Sequence, residues 1–90
     1  MALLDLLGRR WVLRILWELR EHRLTFRGLR EACDDVSPAV LNLRLHELRD
    51  GGFIELADGE GYGLSALGVE LLERFTPIVD WAERWARSTK

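Results

Sequence analysis

One helix with a defined start and a defined end constrains the fold of this chain more than any other feature. Ser37 precedes Pro38, a pair that favours a helix start, because the serine hydroxyl can accept a free backbone N–H while the fixed φ of proline suits the first turn. Gly51 and Gly52 permit the left-handed conformation that ends a helix. Residues 38–50 are therefore predicted to form a helix bounded by its own sequence.

The predicted helix has two different faces. A period of 3.6 residues brings together the leucines at positions 41, 45 and 48, which are expected to enter a core. The opposite face carries Ala39, Asn42, Leu43, His46 and Asp50. A helix with one buried face and one exposed face of small and polar residues is suited to lie in the groove of another molecule.

The segments around this helix indicate a winged helix-turn-helix, that is, a mainly α fold with a small β-hairpin. Thr25 is a suitable N-cap for a short helix over residues 26–33. After the main helix, residues 53–57 and 62–65 favour two short strands, and the turn at residues 58–61 separates them. A short helix, a turn, a second helix and a hairpin occur in this order in winged helix-turn-helix proteins.

Further helices are predicted on both sides of the motif. Residues 3–7 favour a short apolar helix that ends at Gly8, and residues 9–22 carry a strongly helical pattern. After the hairpin, Ser65 can cap a helix. We expect Thr76-Pro77 to interrupt or kink this helix, because proline lacks a backbone donor, and a second C-terminal helix to follow.

Apolar side chains in excess of one core suggest a homodimer. Ile78, Trp81 and Trp85 have helical spacing in the last helix, and Trp17 lies on a side of its helix that a single core does not need. Either Trp17 meets a second chain or it packs under the C-terminal helix of its own chain. The predicted dimer interface contains Leu3, Leu7, Trp17, Ile78, Trp81 and Trp85.

Size and composition exclude several classes of protein. Ninety residues, 48% of them hydrophobic and 31% charged, predict one globular domain over residues 1–90. No apolar run reaches the roughly 20 residues of a membrane span, and charge appears too early for a secretory signal. A single cysteine cannot form an internal disulfide, which agrees with a reducing compartment. We expect a cytoplasmic protein without a membrane partner.

The net charge of −2 is unevenly distributed along the chain. The first thirty residues carry seven arginines and three acidic residues, a balance of +4, whereas the remainder carries six basic and twelve acidic residues, a balance of −6. The basic part could meet phosphates while the acidic part faces solvent or a partner. Ordinary solvated helix surface is the alternative explanation.

The sequence gives no sign of catalysis or of a metal site. His22 and His46 lack partners at metal-ligand spacing, and Ser37 has no base beside it. The turn at residues 58–61 does not follow a phosphate-loop pattern. Cys33 falls on the apolar side of its helix and is predicted to be a buried structural cysteine. We expect neither an enzyme nor a bound cofactor.

Several segments together resemble the HxlR-type winged helix-turn-helix regulators of bacteria. The similar segments lie, in the right order, at residues 6–11, 15–19, 24–30, 36–38, 40–42, 44–48, 62–68 and 81–85. The resemblance implies a dimeric DNA-binding transcriptional regulator, paired through its N- and C-terminal helices, with helix 38–50 in the major groove and the hairpin as a wing. Some members sense electrophiles or oxidants through a cysteine near the N-terminus, which this chain lacks.

Carried over residue by residue, the resemblance places Ser37, Ala39, Asn42, Leu43 and His46 at positions that face DNA. We expect Asn42 and His46 to read base edges, and Ala39 and Leu43 to add apolar contact with thymine methyl groups. The start of the helix over residues 26–33, with arginines 23 and 27 beside it, also suits a phosphate. The predicted phosphate contacts are Thr25, Arg27, Ser37 and Arg49.

A second function stays open, that of a winged helix that has lost DNA binding and contacts a protein instead. Ala39 and Leu43 cannot donate a hydrogen bond to a base, and Asp58 and Glu60 in the short wing would repel phosphate. Salt distinguishes the two functions. DNA binding weakens steeply as salt rises, whereas a protein contact centred on Leu43 is much less sensitive.

Overall fold

The computed structural model describes residues 2–89; Met1 and Lys90, the two ends of the predicted domain, lie outside the described residues. The elements follow in the order α1 (Ala2–Leu7), α2 (Val12–Glu18), α3 (Phe26–Ala32), α4 (Pro38–Asp50), β1 (Ile54–Ala57), β2 (Gly61–Leu64) and α5 (Ala66–Ser88). The two strands pair in antiparallel register, from Ile54 opposite Leu64 to Ala57 opposite Gly61. The mainly helical fold with one hairpin is the fold predicted from the sequence.

Helices α3 and α4 begin at the side chains predicted to cap them. Thr25 Oγ1 accepts the backbone N–H of Gly28 at 3.0 Å, and Ser37 Oγ accepts that of Val40 at 3.2 Å. Each bond satisfies one of the donors that a helix start leaves free. Helix α4 ends as predicted, with Gly52 in the left-handed region at φ 83°.

The core lies where α2, α3 and α4 meet, beside the first strand. The three leucines at positions 41, 45 and 48 are at most 1% exposed, as their spacing predicted. Burying each of them contributes about 1.5–3 kcal/mol relative to exposure, so their face of α4 is firmly directed inward. They belong to one cluster with Val12, Ile15, Leu16, Leu19, Leu29, Cys33, Val36 and Ile54.

The second helix is shorter than predicted. We expected helix over residues 9–22, but α2 spans only Val12–Glu18. It starts late because Trp11 adopts a left-handed conformation at φ 77°, which a right-handed helix does not accommodate. It ends early because the backbone of Leu24 pairs with that of Tyr62, with N–O distances of 2.9 and 2.7 Å, and the chain must turn to reach the hairpin.

The last helix is longer than predicted, because no interruption occurs at Thr76-Pro77. Helix α5 runs through Pro77 to Ser88. The carbonyl group that Pro77 leaves without a donor is that of Glu73, and both residues are exposed, so water can hydrate it. Neither α5 nor any other helix within residues 2–89 combines the length and the apolar character that crossing a membrane requires.

The start of α5 is anchored on the turn that follows α4. Ser65 Oγ accepts the N–H of Gly68 at 3.1 Å and donates to the carbonyl oxygen of Gly52 at 2.5 Å. Gly68 lies against the carbonyl oxygen of Phe53, where any Cβ atom would overlap that oxygen. The cap predicted at Ser65 is confirmed, and it also fixes α5 relative to α4.

Candidate nucleic-acid interface

One face of α4 presents the side chains that were predicted to point outward. This outer face of α4 consists of Ala39, Asn42, Leu43, His46 and Asp50, all of them exposed. Leu43, the large apolar member, is 52% exposed. The buried leucines on the opposite side hold this orientation. The structure therefore brings the predicted base-reading residues together on one surface.

The outer face of α4 contains no arginine or lysine. Arg44 is turned away from it, because its Nε donates to the carbonyl oxygen of Arg10 at 2.9 Å and its Nη1 donates to Glu47 Oε1 at 2.8 Å. Within the face, His46 Nε2 lies 3.3 Å from Asp50 Oδ2, one helical turn further on. The outer face of α4 is therefore a mixture of apolar and polar side chains and is not basic.

The four predicted phosphate ligands are exposed but do not form a single cluster. Thr25 and Ser37 use their oxygen atoms to cap α3 and α4, which leaves their O–H groups able to donate to an anion. Arg27 is almost fully exposed on the first turn of α3, 3.4 Å from Glu31. Arg49 lies in the last turn of α4. At a rise of 1.5 Å per residue it is about 18 Å from Ser37, too far for both to bind one phosphate.

Arg23 does not act as the phosphate ligand that its position beside α3 suggested. Its Nη2 donates to the carbonyl oxygens of Glu55 and Gly61, at 3.2 and 3.0 Å. Arg23 therefore fastens the hairpin to the start of α3, while Asp58 and Glu60 stay exposed at the hairpin tip. The hairpin is thus fixed to the rest of the fold at its strands and carries acidic side chains at its tip.

An ion-pair cluster on the inner side of α4 was missed by the sequence analysis. Glu47 forms ion pairs with Arg44 and with Arg9, which lies in the segment between α1 and α2. The side chains of Glu47 and Arg44 are only 17% and 19% exposed. The i,i+3 spacing of these two residues could have indicated their pair, but no sequence pattern indicates Arg9 as a partner. The cluster joins the N-terminal part of the chain to α4.

Cys33 is a buried structural cysteine, as predicted. Burial raises the pKa of its thiol, and the nearby positive charge of Arg14 opposes this effect only in part. A protonated, inaccessible thiol is a poor nucleophile. Among residues 2–89, no three His, Cys, Asp or Glu side chains come together as a metal site requires.

Most of the predicted dimer-interface residues are uncovered in the single chain. Ile78, Trp81 and Trp85 are exposed along α5, and Trp81 is 57% exposed. Leu3 and Leu7 of α1 are half-buried. Three large apolar side chains exposed along one helix form an unusual surface for a monomer in water.

Trp17 adopts one of the two arrangements left open by its sequence position, packing against the C-terminal helix of its own chain. It lines an apolar cavity of about 400 Å³ between α2 and α5 together with Leu13, Leu72, Phe75 and other residues of these helices. It also keeps an exposed side, over which the Arg20 guanidinium lies 4.1 Å from the ring centroid. Trp17 therefore packs in part under the C-terminal helix of its own chain.

Comparison with known proteins identifies the family. The model of the HxlR-like helix-turn-helix family matches residues 6–90. The chain belongs to the HxlR-like helix-turn-helix family. Among similar proteins, an uncharacterized HTH-type transcriptional regulator of Methanocaldococcus jannaschii is 32% identical in an alignment that covers 94% of this chain and 83% of the relative.

Two solved structures share this HxlR-like fold. The quinone-bound YodB of B. subtilis aligns with a TM-score of 0.84 and 28% identity over 92% of each chain. A protein of Thermoplasma volcanium GSS1, described as a possible HxlR family transcriptional factor, aligns with a TM-score of 0.84 and 24% identity, over 97% of this chain and 84% of its own. The predicted family and the predicted fold are both confirmed.

Proposed function

We propose that this HxlR-like protein is a sequence-specific DNA-binding transcriptional regulator that acts as a homodimer in the cytoplasm, with α4 in the major groove. One observation carries the proposal. In a member of a helix-turn-helix regulator family, the outer face of α4 is exposed and holds the side-chain types that contact base edges, while the opposite face is buried in the core.

The exposed residues divide into two roles. Asn42 and His46 read base edges, because amide and imidazole groups can donate to and accept from bases in the major groove, and Ala39 and Leu43 supply apolar contact. The phosphates are held by Thr25, Arg27, Ser37 and Arg49. These residues lie in the two helices of the motif or cap their starts. Phosphate contacts at several points of a duplex set its register on the protein.

The remaining elements support this arrangement as a wing and a dimer interface. The hairpin of β1 and β2 is the wing, and the N- and C-terminal helices α1 and α5 pair with those of a second copy. Exposed Trp81 and Trp85 favour such pairing, since covering them removes apolar surface from water. A dimer would present two α4 helices to two half-sites.

Binding to duplex DNA across a salt series tests the proposal. Purified protein is titrated into its own upstream DNA and into a shuffled duplex of the same length and composition. We expect tighter binding to the upstream fragment and a steep loss of affinity as salt rises, because bound counterions are released from the phosphates. Failure to bind either duplex at low salt would refute the proposal.

Substitution of Asn42 tests the role of the outer face. Asn42→Ala is expected to weaken binding to the upstream DNA by about 5- to 150-fold and to change binding to shuffled DNA little, because base contacts contribute mainly to specific binding. His22→Ala is the control, since His22 is exposed but lies outside both helices of the motif. Equal losses on both duplexes would exclude Asn42 from base reading.

The alternative function is that of a protein-interaction module. Exposed Leu43 on α4 and exposed Leu56 beside the acidic hairpin tip favour it, because they place apolar and acidic groups where a regulator meets phosphates. Binding that is absent for every duplex, yet present and insensitive to salt for a protein partner, would support this module.

A further inference from the structure

The composition of the outer face of α4 limits which bases it can recognise. Ala39 and Leu43 lie one helical turn apart, about 6 Å along the axis. Asn42 and His46 form a second row with the same spacing. The first row is entirely apolar, and Leu43, its larger member, has 52% of its surface exposed.

Base pairs differ in what they offer such a surface. Guanine presents two acceptors in the major groove, which a bidentate arginine or lysine reads best. Adenine presents a donor and an acceptor that match the amide of asparagine, and thymine presents a methyl group that favours apolar contact. Around Leu43 the outer face of α4 offers one amide and two apolar side chains, and none of its five residues is an arginine or lysine that could read guanine in this bidentate way.

The two arginines of α4, Arg44 and Arg49, do not lie in the row of Ala39 and Leu43. Arg44 is held on the inner side by the carbonyl oxygen of Arg10 and the carboxylate of Glu47. Arg49 is exposed on the same side of α4 as Asn42, but it lies in the last turn, two helical turns and about 10 Å along the axis beyond Asn42. Asp50 is the acidic group of the face, and it lies 3.3 Å from His46 Nε2.

We propose that α4 recognises an A·T-rich half-site through the 5-methyl groups of thymine, with Leu43 as the main specificity-determining residue, Ala39 as its partner and Asn42 reading an adjacent adenine. This inference rests on the proposed DNA-binding function and adds the class of sequence that is bound. Discrimination comes from apolar contact, so it is sensitive to a single methyl group on the base.

Replacing thymine with deoxyuridine tests this directly, because the change removes the methyl group and keeps base pairing. Sites are first selected from a duplex library with a randomised centre, and one selected site is then synthesised with deoxyuridine at each thymine in turn. We expect selected half-sites rich in A·T pairs. Binding should fall about fourfold for each contacted methyl that is removed, the effect of burying one such group.

A variant of Leu43 links the effect to its side chain. Leu43→Ser is expected to abolish the thymine preference at one position and to bind the deoxyuridine duplex about as well as the unmodified protein does. Leu67→Ser is the matched control, because Leu67 is 56% exposed but lies at the start of α5. It should retain the full thymine preference. Circular dichroism confirms that both variants are folded.

The outcomes separate this inference from the function on which it rests. A selected site centred on G·C pairs, or equal binding to thymine and deoxyuridine duplexes, would overturn thymine recognition while DNA binding stands. A thymine preference that survives Leu43→Ser would overturn the role of Leu43. If no duplex is enriched at low salt, the proposed function itself fails.

Discussion

Glu47 of α4 forms an ion pair with Arg9, which lies in the segment between α1 and α2. The same carboxylate accepts a hydrogen bond from Arg44 at 2.8 Å, and Arg44 in turn donates to the carbonyl oxygen of Arg10. Through these contacts the helix proposed to enter DNA is attached to the segment that follows α1. The orientation of α4 therefore depends on charge as well as on its buried leucines.

Removing the charge of Glu47 should destabilise the protein more than removing an exposed charge. Glu47→Gln is expected to lower the free energy of unfolding by about 1–2 kcal/mol, because two partly buried bonds to charged partners weaken. Urea unfolding followed by circular dichroism measures the loss, which should shrink at about 1 M salt. Glu70→Gln is the control, since Glu70 pairs with Arg74 on the exposed surface of α5. Similar losses for the two variants would show that the cluster is ordinary surface charge.

Ionisation of Cys33 should make the protein less stable at alkaline pH. Its pKa is raised in the folded state by burial, so the folded protein binds the thiol proton more tightly than the unfolded chain. This contribution is complete below the ordinary thiol pKa and is lost as the pH rises towards the folded-state pKa.

The free energy of unfolding, measured from neutral pH to about pH 10, should therefore fall, and ionisation of Cys33 accounts for part of this fall. Cys33→Ala removes this contribution, so the fall should be shallower in the variant, although the variant is less stable overall because the core loses volume. Parallel pH profiles for the two proteins would contradict the prediction.

Reversing the charge of the hairpin tip should strengthen binding to any duplex if the hairpin is a wing. The double variant Asp58→Lys, Glu60→Lys replaces groups that repel phosphate with groups that attract it. We expect tighter binding to both upstream and shuffled DNA. The slope of log K against log salt concentration should also become steeper by about one to two, since one to two more counterions are released. Glu70→Lys with Glu73→Lys on α5 makes the same change in net charge. If that pair has an equal effect, the hairpin does not lie near DNA.

Loss of one exposed tryptophan should dissociate the proposed dimer. Trp81→Ser removes a large apolar contact from each copy, and we expect the dimer dissociation constant to rise by at least about 30-fold. Sedimentation equilibrium measures the change. Leu56→Ser provides the control, because Leu56 is also exposed but belongs to β1 and not to the helices of the proposed interface. A wild-type protein that sediments as a monomer would refute the dimer.

The parts of the fold that the sequence predicts are those with local causes. The caps at Thr25, Ser37 and Ser65 and the spacing of the α4 leucines each depend on residues within one helix, and all were confirmed. The outer face of α4 follows from the same spacing, because burying one side of a helix exposes the other.

The parts that the sequence does not predict depend on distant partners or on solvent. The end of α2 is set by the pairing of Leu24 with Tyr62, and the cluster at Glu47 depends on Arg9 from another part of the chain. Neither contact leaves a periodic pattern. Pro77 was expected by a local rule to interrupt or kink its helix, and α5 is not interrupted there, because on an exposed helix water can hydrate the carbonyl group without a donor.

The pairing of Leu24 with Tyr62 has a mechanical consequence. Leu24 comes directly before Thr25, which caps α3, and Tyr62 lies in β2. The pairing therefore connects the start of the α3–α4–β1–β2 segment to its last strand. Arg23 adds to this connection, because it donates hydrogen bonds to the carbonyl oxygens of Glu55 and Gly61 in the hairpin. The hairpin and the start of α3 are therefore expected to change position together rather than independently.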